Sequence, residues 1–299
     1  AWWGGVGVTG GLKFRVVTGG ICNQQSNILN RQQRLSSGVL VSKASDDPGA
    51  YSQIRSLASS QAQMTQYQRN LGIASAYQKA VGESLTQVTS LMQRLNEIAV
   101  KGGDGTLDDT TRGTLVDEVN ELLETMVSVA NGSDDGRYTF GGLRMDAPPY
   151  ETVLDADGKI TAVTYAGSEE TREIRIGDTM TVVTNSPGST AGNEGGVFQT
   201  STRDIFASII ALRDALASGS GIDNSDILGD LQDDLDHVLT ASSLNGARQE
   251  QVTAQKNYLL KLQLSAKDAR SSVESVDVAQ ETIKLAQAES AYEAALKST

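Results

Sequence analysis

Cysteine, histidine and aromatic residues are scarce in this sequence of 299 residues. Cys22 is the single cysteine, which excludes an internal disulfide framework, and His237 is the single histidine, which leaves almost no material for a metal site. Aromatic residues make up 5% of the chain, a low share for a compact enzyme and an ordinary one for long helices. No stretch approaches about twenty apolar residues, so the sequence predicts no membrane-spanning helix.

Basic residues are too few to balance the acidic ones. Lys and Arg number 25 against 37 Asp and Glu, which gives a formal net charge of −12. Such a surface repels phosphate backbones and anionic lipids, so we expect no nucleic-acid or membrane partner. The first residues lack the charged start and apolar run of a cleaved signal peptide, so export would need another route.

Two long helical patterns, one near each end, dominate what is present. Each carries a narrow row of apolar residues spaced three and four apart, which we call a seam. The early seam comprises Ile54, Leu57, Met64, Leu71, Ala74, Val81, Leu85, Val88, Met92, Leu95 and Ala99, and the late seam Val252, Leu259, Leu262, Ala266, Ala269, Val273, Val276 and Ile283. A repeat of about 3.5 residues sustained this long is typical of helices that wind around partners. Because neither helix can bury its seam alone, we expect the early and late helices to pair.

Glycine, proline and capping residues mark where the helices begin and end. A helix from Ile21 should end at Gly38, and the next should begin at Asp47-Pro48, where Asp47 can accept amide hydrogen bonds. The paired carboxylates Asp46 and Asp47 therefore predict a helix start rather than a catalytic or metal site. Further helices are predicted after residue 106, from Thr202, and from about Ser225. The last of these should continue without interruption almost to the end of the sequence, and Gly246 within it should allow another backbone to approach closely.

Between these helices the apolar period changes to two. Three or four short strands with polar turns are predicted between about residues 137 and 200. Asp155-Ala156-Asp157-Gly158 resembles a fragment of a calcium loop, but the rest of that ligand pattern is missing, so a plain turn is favoured. His237 lies among aspartates and is predicted to lie on a solvated helix face, and Cys22 is predicted to be inert.

These elements predict a mainly α protein with a small β-rich insert. The N- and C-terminal segments should form an elongated antiparallel bundle or coiled coil of long helices, with the β domain at its tip. The predicted divisions are a flexible N-terminal assembly segment (1–44), the N-terminal half of the helical rod (45–136), the β-rich inserted domain (137–200), the C-terminal half of the rod (201–283) and a C-terminal assembly segment (284–299).

Several motifs, in order along the chain, resemble those of the bacterial flagellin superfamily. They are Leu35-Ser36-Ser37-Gly38 with Ser45-Asp46-Asp47-Pro48, then Tyr67-Gln68-Arg69-Asn70, and finally Leu244-Asn245-Gly246-Ala247-Arg248-Gln249. The borders of the β-rich segment are closer to the hook-associated junction proteins of that superfamily than to flagellin itself. These borders are Tyr138-Thr139-Phe140-Gly141-Gly142, Pro148-Pro149-Tyr150, Thr164-Tyr165-Ala166-Gly167 and Gly195-Gly196-Val197-Phe198. The resemblance runs from about Phe14 to Leu296, and residues 1–13 have no counterpart in it.

The resemblance implies a structural protein of the extracellular bacterial flagellum, exported unfolded by the flagellar type III pathway. Its partners would be further copies of itself in a ring, the other hook-associated junction protein, flagellin and an export chaperone bound to the last helix. It implies no catalytic residue, cofactor or metal. The residues expected in helix seams and assembly contacts are Leu35, Asp46, Asp47, Pro48, Ile54, Leu57, Leu71, Leu85, Leu95, Leu259, Leu262, Val273, Val276, Ile283 and Leu296.

Three alternatives stay open at the level of sequence. Flagellin, the filament subunit, is the nearest one, and a helical adhesin or tail-fibre protein is more distant. A hydrolase housed in the β-rich segment would have to use Asp155, Asp157, Glu169 and Glu170, with no histidine in that segment to act as a base. A label found only where hook and filament meet would separate a junction protein from flagellin.

Overall fold

The computed structural model describes residues 6–103, 107–191, 195–219 and 224–297. Within these ranges the chain is mainly helical, with small antiparallel strand pairs between the third and fourth helices, as the sequence predicts. The helices are α1 Val6–Ser37, α2 Pro48–Gly102, α3 Asp109–Ala130, α4 Ile205–Ser218, α5 Asn224–Glu274 and α6 Val278–Lys297. None of these described helices contains a segment long and apolar enough to cross a membrane.

Helix ends follow the capping chemistry of the sequence. Gly38, with φ of 71°, ends α1, and Asp47 caps α2 by accepting the amide of Ala50 at 2.9 Å. Asp108 and Asp204 cap α3 and α4 in the same way, through the amides of Thr111 and Ala207. Each carboxylate satisfies an amide that the first turn of a helix leaves without a partner.

Two helix predictions need correction. The first helix begins at Val6, well before the predicted start at Ile21, because the glycines of this segment do not interrupt it. The last helix is not continuous, since α5 ends at Glu274 and α6 begins at Val278. The break occurs where Val39 and Ser275 form an isolated antiparallel bridge, so backbone pairing with a distant segment replaces helical hydrogen bonds there.

The strands form three separate two-stranded antiparallel sheets. They are β1 Ser133–Asp134 with β2 Arg137–Tyr138, β3 Tyr150–Leu154 with β4 Ile160–Tyr165, and β5 Glu173–Arg175 with β6 Thr181–Val183. The turn between β3 and β4 is the predicted Asp155 turn, because Asp155 Oδ1 accepts the amides of Asp157 and Lys159 at 2.9 and 2.8 Å. Strand β2 lies at the predicted start of the β-rich segment, whereas its partner β1 lies in a segment that the sequence pattern marks only as a break.

The chain divides into two compact units, one formed by Ala1–Gln63 with Lys261–Thr299 and the other by Met64–Leu260. The first unit contains both ends of the chain, and α1 packs against α6 within it. The second unit contains the β-rich segment together with the helical residues on either side of it. These boundaries differ from the predicted divisions at 137 and 200, which stay a prediction about how the chain behaves when cut.

One hydrophobic core fills the second unit and joins its strands to its helices. Phe140 and Phe198 meet edge to face with ring centroids 5.0 Å apart, and Tyr150 packs on Phe206 of α4 at the same separation. Early-seam residues of α2, including the fully buried Leu95, belong to the same cluster. Apolar burial stabilises by roughly 25 cal/mol per Å², so the β-rich segment contributes to the core that holds the helices.

Candidate functional site

The sequence motifs of the second unit hold its parts together. Tyr67 on α2 donates its hydroxyl hydrogen to Asp178 Oδ1 at 3.1 Å, and Asn70 Nδ2 donates to the carbonyl of Arg175 at 2.6 Å. From α5, Gln255 Nε2 donates to the carbonyl of Ile176 at 3.2 Å. The hairpin β5–β6 is therefore fastened to α2 by two residues of the motif at 67–70 and to α5 by a residue that the sequence analysis did not single out.

The motif at 244–249 fastens α5 directly to α2. Asn245 Nδ2 and Gln249 Nε2 both donate to the backbone carbonyl of Gln78 at 2.9 Å. A Cβ atom at Gly82 would lie 3.1 and 3.2 Å from these two amide nitrogens, so a glycine is what lets the helices come this close. The prediction that Gly246 makes the close approach is wrong, because a Cβ there would have nothing within 4 Å.

The glycine pair at the start of the β-rich segment has a comparable role. Gly142 adopts φ of 64°, and a Cβ there would overlap the carbonyl group of Ser168. The neighbouring Gly141 carbonyl accepts the amide of Ser168 at 3.0 Å. The motif at 138–142 therefore requires glycine where two backbone segments touch.

In the first unit, the motifs at 35–38 and 45–48 lie at the two ends of the segment that links α1 to α2. The amide of Leu40 donates to the carbonyl of Glu274 at 2.7 Å, and the amide of Val276 donates to the carbonyl of Gly38 at 3.0 Å. We call this backbone pairing of residues 38–40 with 274–276 the clasp. It joins the break between α1 and α2 to the break between α5 and α6.

Asp46 organises the turn that follows the clasp. Its Oδ2 accepts the amides of Ser42 and Lys43, both at 3.0 Å. These backbone hydrogen bonds lower the pKa of the Asp46 carboxyl, so it stays ionised near neutral pH. The role of the two aspartates is thus structural, with Asp46 closing a turn and Asp47 capping a helix.

A partly buried ion pair connects α1 and α6. Arg31 Nη1 on α1 lies 2.8 Å from Glu281 Oε1 on α6, and the Glu281 side chain is only 4% exposed. Sequence analysis missed both residues, because an apolar period carries no information about two charges 250 positions apart. A carboxylate buried to this degree needs its partner, since an unpaired buried charge is costly.

The predicted seam and assembly residues differ widely in exposure. Five are buried: Ile54, Leu71, Leu85, Leu95 and Leu259. Leu35, Leu57, Leu262, Val273 and Val276 are partly buried, whereas Asp46, Asp47, Pro48, Ile283 and Leu296 are exposed. On α6, Ile283 is 60% exposed and Leu296 48%. The first unit thus presents apolar side chains that its own packing does not cover.

Two of the carboxylates considered for chemistry make structural hydrogen bonds. Asp155 closes a turn, and Glu169 Oε2 accepts the amide of Ala191 at 3.0 Å. His237 is not on a solvated face as predicted, because it is partly buried and its Nε2 lies 2.8 Å from the carbonyl oxygen of Gly196. Within the described ranges no group of three or more acidic, histidine or cysteine side chains could hold a metal ion, and Cys22 is exposed.

Comparison with known proteins identifies the N-terminal part of the chain. Residues 17–143 match the model of the bacterial flagellin N-terminal helical region. Flagellar hook-associated protein 3 of Salmonella typhimurium is 30% identical over 171 residues, which are 57% of this chain and 51% of that protein. Its counterpart in Escherichia coli is 32% identical over 172 residues, 56% of this chain and 51% of that protein. The chain spans about half the length of the curated relatives it matches.

The fold is also shared with a solved structure. Flagellar hook-associated protein 3 of Legionella pneumophila aligns with 74% of this chain and 99% of its own, with a TM-score of 0.61 and 16% sequence identity. At this identity the likeness concerns the fold alone. The matched N-terminal region and the two relatives show that the chain is similar to proteins of the flagellin superfamily over about half of its length.

Proposed function

We propose that this chain is a structural subunit of the bacterial flagellum that forms the junction between hook and filament. The observation that carries the proposal is the match of more than half of the chain to two relatives named flagellar hook-associated protein 3. The role requires rigid helices and surfaces for other subunits, and it requires no reaction. In this proposal the clasp and the hydrogen bonds from α5 to α2 keep the helices rigid, and the apolar side chains that the first unit leaves exposed provide the surfaces for other subunits.

The proposed partners are further copies of the chain arranged in a ring, the other hook-associated junction protein on one side and flagellin on the other. The exposed apolar positions Ile283 and Leu296 on α6 suit such contacts, because apolar surface that stays wet in one subunit can be buried between several. We therefore propose residues 14–44 and 284–299 as assembly segments. An export chaperone would bind the C-terminal helix before secretion, and the assembled protein would be extracellular.

Flagellin is the second candidate, since the matched family model describes the N-terminal helical region of flagellin itself. The two functions differ in where the protein lies and in how many copies a flagellum holds. A filament subunit would be found along the whole filament, whereas a junction subunit would occupy one short zone.

Immunogold electron microscopy on flagella of the source organism tests the proposal. Antibody raised against the purified chain should label a single zone where hook meets filament, and deleting the gene should leave hooks without filaments while flagellin accumulates in the medium. Restoring the intact gene should restore the filaments. Label along the filament would establish the flagellin alternative, and no label on flagella would defeat both.

A further inference from the structure

Asn131 and Gly132 form the link between α3 and β1, and the fold needs both of them. Asn131 Nδ2 donates to the carbonyl of Tyr150 in β3, and the Tyr150 amide donates to Asn131 Oδ1, both at 2.9 Å. An asparagine amide has the donor and acceptor of a peptide group, so it takes the place of a further strand beside Tyr150. A Cβ at Gly132 would lie 2.9 Å from the Val129 carbonyl oxygen, so any larger residue would force the backbone to shift.

The same two residues form the dipeptide that deamidates most readily in an unfolded chain. The glycine amide nitrogen attacks Cγ of the asparagine side chain, and no glycine Cβ hinders its approach. A new bond from nitrogen to Cγ closes a succinimide ring, the bond from Cγ to Nδ2 breaks, and Nδ2 leaves as ammonia with the proton of the glycine nitrogen. Water then opens the ring and yields aspartate or isoaspartate.

The folded structure holds each group that this reaction uses. The Gly132 N–H donates to the Val129 carbonyl at 3.0 Å, so its proton is not free for removal. Bringing Asn131 Cγ onto that nitrogen would pull the side chain out of its two hydrogen bonds with Tyr150. The reaction therefore has to wait for this contact to open, and its rate falls with the population of the open form.

Conversion of Asn131 would weaken the contact that its amide makes. A carboxylate accepts hydrogen bonds and donates none, so the Tyr150 carbonyl would lose its donor and face a negative charge. Tyr150 is 2% exposed, and its ring packs on Phe206 and Phe198 with centroids 5.0 and 5.6 Å from its own. The amide at position 131 thus fastens the end of α3 to the aromatic part of the core.

We propose that Asn131 is a site of spontaneous deamidation that is open in the unfolded chain and closed in the folded one. The reacting groups belong to the chain itself, and water is the co-reactant. A chain that reacts before it folds carries a carboxylate against the Tyr150 carbonyl and folds less stably, so the fold both requires this labile dipeptide and protects it. The inference goes beyond the proposed junction role and does not depend on it.

Parallel incubations of the unchanged full-length protein test the protection. The protein is held in mildly alkaline buffer, either folded or unfolded in urea, and peptide mapping by mass spectrometry follows the conversion of Asn131. Conversion should be slower by about tenfold or more in the folded protein, because the reaction waits for two hydrogen bonds to open. Asn245-Gly246 has the same two residues and should convert in urea at a rate comparable to Asn131. Equal rates at Asn131 in the two states, or an Asn131 that stays intact in urea, would overturn the proposal.

A variant that carries the reaction product tests the consequence. Asn131→Asp should lower the equilibrium constant for folding by about tenfold or more in urea unfolding at neutral pH, since it leaves a partly buried carbonyl without its donor. Asn257→Asp, the same change at an exposed position of α5, is the control and should unfold like the unchanged protein. Equal stability of the two variants would show that conversion does no harm and would overturn that part of the proposal. The incubations use the unchanged protein, so they decide the question of protection even where Asn131→Asp fails to fold.

Discussion

Replacing Gly82 by alanine tests how α5 is fastened to α2. The added methyl carbon would lie 3.1 Å from Asn245 Nδ2 and 3.2 Å from Gln249 Nε2, closer than the roughly 3.5–4.0 Å of an ordinary contact. Both amides donate to the Gln78 carbonyl at 2.9 Å, so they cannot retreat from the methyl group without weakening those bonds. We expect Gly82→Ala to destabilise the protein.

The magnitude follows from two opposing effects. Alanine is favoured over glycine inside a helix by about 1 kcal/mol. Against this, each hydrogen bond contributes about 0.5–1.5 kcal/mol, and a buried donor left without a partner costs about 1–3 kcal/mol. Asn245 is 6% exposed, so water cannot easily replace its lost acceptor. Disturbing both bonds should therefore outweigh the gain and leave a net loss of about 1–3 kcal/mol.

Gly72→Ala is the matched control, because Gly72 lies on the same helix and a Cβ there would have nothing within 4 Å. It should stabilise the protein by about 0.5–1 kcal/mol through helix propensity alone. Urea unfolding followed by circular dichroism measures both free energies of unfolding. If Gly82→Ala proves as stabilising as Gly72→Ala, the close approach of α5 to α2 is not the tight contact described here.

Three further measurements address other parts of the chain. Asp234→Asn should raise the melting temperature at pH 7, because burial raises the pKa of the Asp234 carboxyl and the folded state loses stability as the pH rises through that pKa. The gain in melting temperature over the unchanged protein should shrink as the pH falls toward about 4. Leu262→Asp should lower the melting temperature by more than the exposed Lys261→Asp, because a charge at a partly buried seam position loses hydration; equal shifts would mean that the late seam is not packed there. Amides in 14–44 should exchange hydrogen much faster than those in 54–99, since their helix leaves much of its surface wet, and equal protection would make the N-terminal segment part of the stable fold.

Helix positions and their ends could be predicted because the forces that define them act over a few residues. Asp47 with Pro48 marks the start of α2, and Gly38 the end of α1, since capping and backbone conformation depend on immediate neighbours. Ile205, Ile209, Leu212 and Leu216 recur at helical spacing in the sequence and are all buried in α4, because a period of 3.6 residues indicates which face of a helix packs away from water. The same local logic identified the Asp155 turn.

Features formed by two distant segments were not visible in the pattern. The break between α5 and α6 occurs where Ser275 pairs with the backbone of Val39, a partner that local sequence does not reveal. The one local signal is Asp277, which caps α6 by accepting the amide of Gln280 at 3.1 Å, and it does not by itself show that the preceding helix ends. The sequence pattern points to Gly246 and not to Gly82 for the close contact, because both are helix glycines and only the packed structure shows which one faces an amide. Arg31 and Glu281 were passed over for the same reason.

What the sequence alone determined is the class of fold, the order of helices and strands, the capping chemistry and, through its motifs, a resemblance to the flagellin superfamily. These follow from local periodicity and from short strings whose identity does not depend on their surroundings. Tertiary structure decided which motif residues touch, since Tyr67 reaches Asp178 and Asn245 reaches Gln78 across long stretches of chain. It also decided that the strands share the core of the second unit, because side-chain burial depends on which surfaces meet and not on the period of either one.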